Sequence, residues 1–281
     1  MASVASDAAS FGARLSAAVA ERGRLCVGID PHPSLLTQWD LPHTAAGLRE
    51  FSQICVAAFS DTVAVVKPQV AFYEAYGSAG FAVLEETMAE LRAAGVLVVA
   101  DAKRGDIGST MAAYAQAWLG EGSALSADAL TVNPFLGMGA LQPAIELAQE
   151  NGRGLFFLAA TSNPEARRVQ DAQILGDTLS QDVVDTVAAL NEIEVEQAGL
   201  GSFGVVVGAT LTDPPYLSEL GGPILMPGVG AQGATAADVD RIAGDMRHAA
   251  LPNISRAILK QGPDLQKLRS AVLAAAEDFP A

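Results

Sequence analysis

The densest concentration of chemistry-bearing side chains is VVADAKRGDIGST, residues 98–110, which brings Asp101, Lys103 and Asp106 into one short segment. Carboxylates beside an ammonium favour its charged form. A held cation donates a proton or pairs with an anion. A Schiff-base lysine needs the opposite, a pKa lowered by desolvation or by neighbouring cations. Lys67, in VAVVKPQ, is the second point of interest, because the chain has only four lysines (67, 103, 260 and 267) and two of them close adjacent predicted strands. The bland alternative is a structural salt-bridge network, which also produces D-x-K patterns. Arg104-Gly105-Asp106 spells an adhesion tripeptide, a reading with no support in so acidic a chain.

A second signal is LMPGVGAQGAT, residues 225–235, where Gly228, Gly230 and Gly233 form G-x-G-x-x-G before a helix expected to begin near Thr235. A dinucleotide fingerprint opens the first unit of its domain. Here only about 50 residues and one strand follow, and that strand carries Arg256 instead of an acidic residue. The arrangement suits a phosphate better. Bare N–H groups of a glycine turn, a helix N-terminus and one arginine make an adequate cradle, and Arg256 would add about 1.5–3 kcal/mol through charged hydrogen bonds. A purely structural glycine turn is the alternative.

Weaker candidates also sit near predicted strand ends. Asp30 in GIDPHP could take a sugar hydroxyl or cap a turn before Pro31. Thr161-Ser162-Asn163-Pro164 could read a polar ring edge or form an Asx-type turn. Phe135 and Met138 read as packing, and Asn133 is ambiguous.

Eight apolar runs position these residues: 24–30, 63–69, 96–101, 129–133, 154–160, 203–209, 223–228 and 253–259. They lack strict alternation, as strands buried on both faces do. Helical periodicity fills most gaps, marked by Ala45, Leu48, Phe51, Cys55 and Phe59, by Phe81, Leu84, Met88 and Leu91, and by Leu141, Ile145 and Ala148. An enlarged connection over 161–202 carries a stripe of Leu179, Val183, Val187 and Leu190, whereas 210–222 has room for at most a turn or two of helix. The expectation is one α/β domain over 1–281, a (β/α)8 TIM barrel preceded by an N-terminal helix within 1–23, with a doubly wound open sheet as alternative. In such a barrel the C-terminal strand ends and following loops carry function, which is where these polar residues fall.

Composition sets the outer bounds. The chain has 281 residues, half of them hydrophobic, and 17 basic against 32 acidic residues, a net charge of −15. That excludes a disordered chain and argues against nucleic acid as partner. Cys26 and Cys55 form no CxxC, and His32, His43 and His248 match no zinc spacing, so no metal is expected. No apolar run approaches membrane-spanning length and the first 23 residues lack signal-peptide character, which points to a cytoplasmic protein without membrane partners.

Taken together, DAKRGDIGST, the lysine of VVKPQVAFYE, PGVGAQG and the late Arg256 resemble the orotidine 5'-phosphate decarboxylase family, in its bacterial subgroup with longer loops, over roughly residues 24–259. D-x-K-x-x-D alone is shared with sugar-phosphate decarboxylases and synthases of the same suprafamily. The combination with PGVGAQG is more specific. The resemblance implies cofactor-free decarboxylation of orotidine 5'-phosphate to UMP. Lys67, Asp101, Lys103 and Asp106 match the family's alternating array, with Lys103 in the proton donor's place. Asp106, Ile107 and Thr110 match residues supplied across a homodimer interface, and Asp30 and Lys67 match ribose contacts. Ser162, beside Thr161, falls where the family reads the pyrimidine edge; Gln232, Gly233 and Arg256, in and after the loop that Pro227 opens, fall where it holds phosphate. The chain departs from the pattern at Glu165, where many relatives have glycine, and in its long 161–202 connection. Three other readings remain at this point: a metal-dependent 3-keto sugar-phosphate decarboxylase, a Schiff-base aldolase, and a non-catalytic nucleotide-phosphate binding protein.

Overall fold

A computed structural model describes residues 9–174 and 176–281. It contains ten strands: β1 (Cys26–Ile29), β2 (Val65–Pro68), β3 (Leu97–Arg104), β4 (Ala129–Val132), β5 (Gly154–Ala160), β6 (Gln173–Ile174), β7 (Asp177–Thr178), β8 (Phe203–Val207), β9 (Ile224–Pro227) and β10 (Ala250–Ile254). Eight of them close a parallel barrel in the order β1-β2-β3-β4-β5-β8-β9-β10, with β10 returning to pair with β1. The fold is a (β/α)8 barrel, and its closure rules out the open-sheet alternative. The small pair β6–β7 is an antiparallel hairpin inside the long connection.

Helices form where apolar spacing called for them: Ala45–Phe59, Gly77–Ala93, Gln142–Glu150 and Leu179–Ala198. The last of these buries Val183, Val184, Val187 and Asn191 against the barrel. Asn191 donates to Phe203 O and Leu220 O, which fastens the long connection to β8 and its outgoing loop. No helix forms in the described 210–222 segment.

The chain's first described helix, Phe11–Arg22, starts at Ser10, whose side chain accepts from Ala13 N. Residues 1–8 of the expected N-terminal segment lie outside the described residues. This helix covers the N-terminal end of the barrel. Phe11 meets Phe156 edge-on at 6.1 Å, and a Cβ at Gly154 would lie 2.3 Å from the Phe11 ring. Gly12 N donates to Ser202 Oγ just ahead of β8. With that end plugged, the opposite end is left for a ligand.

Two strand assignments need correction. The eighth barrel strand is Ala250–Ile254, not 253–259. Pro252 lacks an N–H and reads as a breaker, yet it pairs in register with Met226. The apolar Ile258 and Leu259 that suggested a strand belong to the single helical turn Arg256–Leu259. The third strand runs on past residue 101 to Arg104 through an irregular stretch, so Lys103 lies within the strand. Gly108 opens the helix Gly108–Leu119, whose first turn includes Thr110.

Cys26 and Cys55 are free and buried. Burial pushes the Cys26 thiol up to about 12, so it stays neutral and behaves as core.

Candidate active site

A cavity of about 280 Å3 opens at the C-terminal ends of the strands. Asp30, Lys67, Asp101 and Lys103 line it from β1, β2 and β3 or just beyond them; Thr161 and Ser162 follow β5, Pro227 ends β9 with Gln232 in the turn after it, and Arg256 follows β10.

Asp101 is the hub. Its side chain is buried and its two oxygens are fully engaged: Lys67 Nζ and Gln69 Nε2 each lie 2.9 Å from Oδ2, while Lys103 Nζ (2.5 Å) and Thr131 Oγ1 (3.1 Å) reach Oδ1. Burial opposes a charge on Asp101, but Lys67 and Lys103 outweigh it and hold the carboxyl well below the usual carboxylate range. Lys67 is itself buried, which works against its charge; Asp101 and Asp30 nonetheless raise it above the ordinary lysine value. Lys103 differs in being partly open to the cavity, with 45% of its side chain exposed. It is the ammonium of the array within reach of a ligand. Asp30 Oδ1 sits 3.9 Å from Lys67 Nζ and is buried with no hydrogen-bond partner.

The glycine turn is reached as expected, with positive φ at Gly228, Gly230 and Gly233. Some of its donors are already engaged. The N–H groups of residues 230–233 donate within the turn, and the following helix N-terminus is closed by Thr235 and Asp238, each side chain accepting from the other's backbone. Two side chains also reach this face. Gln232 Oε1 accepts from Ser162 Oγ, which leaves its Nε2 for a ligand. Arg256, beyond β10, brings its guanidinium to the cavity.

Four expected residues do not line the cavity. Asp106 Oδ1 accepts from Ile107 N and contacts neither lysine of its own chain among the described residues. Ile107, 62% exposed, and Thr110, on the first turn of its helix, face outward, and Gly233 is also exposed.

The chain matches the sequence model of the Orotidine 5'-phosphate decarboxylase / HUMPS family over residues 23–271. It is 64% identical, over 96% of its length and 97% of the relative's, to an orotidine 5'-phosphate decarboxylase of Corynebacterium efficiens. A second such protein, from Corynebacterium glutamicum strain R, is 62% identical over 96% and 98%. The chain belongs to this family. A solved structure from Streptomyces avermitilis superposes with a TM-score of 0.93 at 52% identity, covering 99% of this chain and 97% of that one. The Leishmania donovani OMP decarboxylase structure gives 0.74 at 30%, covering 95% and 96%.

Within this family member, sequence reasoning passed over Gln69, Thr131, Asn253 and Ser255. Gln69 follows Lys67 by two residues and so shares its face, a signal that was available. Thr131 is a polar residue inside the apolar run ALTVN. Asn253 and Ser255 line the cavity, but they lay inside the misplaced last strand. The donor set favours ammonium over a divalent cation. Every acceptor position of Asp101 is taken by an N–H or O–H donor, and among the described residues no three His, Cys, Asp or Glu side chains gather where a metal could sit.

Proposed function

We propose that the chain decarboxylates orotidine 5'-phosphate to UMP without a cofactor, and that Lys103 delivers the proton. The observation that carries this reading is one contact. A partly open Lys103 ammonium lies 2.5 Å from a buried carboxylate that a second lysine also neutralises.

The chemistry follows from those charges. As the bond from C6 to the carboxylate breaks, CO2 leaves and the electron pair stays on C6. No adjacent carbonyl accepts it, so stabilisation must come from preorganised charge. The Lys103 ammonium sits where it can oppose that negative charge and then transfer a proton to C6, recovering one from water afterwards. Asp101 holds Lys103 in place and lies near the departing carboxylate. Asp30, which lines the cavity beside Lys67, suits a ribose hydroxyl, Ser162 the pyrimidine edge, and Gln232 with Arg256 the phosphate. Binding energy from that remote phosphate supports alignment of the ring.

The reading includes a cytoplasmic homodimer in which Asp106 and Thr110 of the partner subunit complete the site. Two features support it. Asp106 lies outside its own chain's cavity, and exposed Ile107, Phe135 and Leu136 sit on adjoining segments, linked where Asn133 N donates to Arg104 O. Two unpaired buried thiols suit a reducing compartment.

The test is loss of orotidylate absorbance with purified protein in EDTA. Turnover is expected to persist with chelator and to fall by at least roughly 10²–10⁴-fold in Lys103→Ala. Full activity in that variant removes Lys103 from its role, and loss of activity on chelation favours a metal-dependent decarboxylase.

A further inference from the structure

The charge array stands on an irregular piece of sheet. Between the pairs Ala100↔Leu130 and Arg104↔Val132, β3 advances four residues while β4 advances two, leaving two extra residues on β3 opposite Thr131. Such bulges re-aim side chains and remove ladder hydrogen bonds. Lys103 adopts φ 50, a left-handed conformation that residues with a Cβ seldom take. Outliers of this kind persist only where the surroundings impose them.

Here the Lys103 N–H is met by a side-chain hydroxyl. Thr131 is fully buried. Its Oγ1 accepts from Lys103 N at 2.9 Å, replacing the strand acceptor that the bulge takes away, and donates to Asp101 Oδ1 at 3.1 Å. The carbonyl of Ala100, its other possible acceptor, is farther away at 3.5 Å. One oxygen thus grips the backbone of Lys103 and the carboxylate that Lys103 pairs with. Thr131 does not line the cavity, so it acts on a ligand only through these two neighbours.

We infer that Thr131 is a positioning residue, whose hydroxyl holds the β3 bulge so that Lys103 and Asp101 are aimed together at the reacting carbon. This rests on the proposed decarboxylation. Small misplacements of a catalytic group cost large factors in rate without weakening binding to match.

The experiment compares wild type with T131V, T131A and T131S on orotidylate, together with melting temperature and UMP affinity. T131V has the same shape without the hydroxyl. T131A covers the case in which a methyl group against Asp101 prevents folding. The expected result is a kcat loss of roughly 10- to 100-fold in T131V and T131A, with KM and UMP affinity within about threefold, and T131S restored to within about threefold of wild type. Retained kcat in either hydroxyl-free variant overturns the inference, as does a serine that fails to rescue or a loss shared equally by kcat and UMP binding. A wild-type protein without turnover removes the decarboxylase reading and this inference with it, whereas an active wild type matched by T131V removes the inference alone.

Discussion

Ser162 Oγ donates to Gln232 Oε1 at 3.0 Å and so fastens the loop after β5 to the loop after β9 across the cavity mouth. A ligand spanning a ring-reading loop and a phosphate-holding loop would meet both sides of this clasp at once.

Breaking the clasp from either side should therefore have the same effect. Ser162→Ala and Gln232→Ala are each expected to raise KM for orotidylate by roughly two- to tenfold, the range of one net hydrogen bond. The double variant should lose less than the product of the single losses. Steady-state kinetics on the four proteins checks this, and strictly multiplicative losses would show that the two side chains act independently.

Arg256 lines the cavity beyond β10, where the proposed function has the phosphate. A charged hydrogen bond there corresponds to a loss of roughly 10- to 150-fold in kcat/KM when Arg256→Ala acts on orotidylate. Orotidine, lacking the phosphate, should be turned over equally by variant and wild type. An equal loss on both substrates would mean that Arg256 supports the loop and not the phosphate.

The Lys67–Asp101 pair makes a signed prediction about pH. Asp101 is held low, chiefly against burial and through Lys67 and Lys103. A depressed carboxyl contributes stability that is complete above its unfolded pKa of about 4 and is lost as pH falls through the lower folded value. Lys67 is held high against its burial by Asp101 and Asp30. Its contribution is complete below about pH 10.4 and is lost only as pH rises through the higher folded value. Asp101→Asn leaves the buried Lys67 with only the more distant Asp30, at a cost of about 3–5 kcal/mol. Urea titrations should give the same difference from wild type at pH 5 and 6, smaller by about 1 kcal/mol at pH 3. A difference unchanged at pH 3 would contradict the depressed carboxyl.

The residues of the array were legible in the sequence because catalytic groups of a barrel collect at strand ends, and strand ends are where apolar runs stop. Lys67, Asp101 and Lys103 announce themselves by interrupting Val-rich segments. What holds them was not legible. A bulge leaves no compositional trace, and Thr131 looks like any β-branched strand residue until its oxygen is placed against Lys103 N. Pro252 obscured β10 because a residue with no N–H to donate is rare inside a strand, yet this one pairs in register with Met226. The three glycines mark a turn, but that the N–H groups of residues 230–233 close on carbonyls of the same turn is a matter of φ and ψ that glycines alone do not specify.

A second buried carboxylate lies at the opposite end of the barrel and separates stability from catalysis. Asp128, immediately before β4, accepts from Arg14 Nη1 at 2.6 Å, Arg153 Nη1 at 3.2 Å and Val98 N at 3.0 Å. It ties the N-terminal helix to the end of the barrel away from the cavity. Asp128→Asn strips the arginines of their shared anion, Arg153 being mostly buried with its Nε already unpartnered. The cost should reach about 3 kcal/mol in urea denaturation. Below the unfolding transition kcat/KM should stay within twofold of wild type, because none of these side chains lines the cavity. A folded variant with reduced kcat would instead show that the helix clamp and the catalytic array are mechanically linked through β3 and β4.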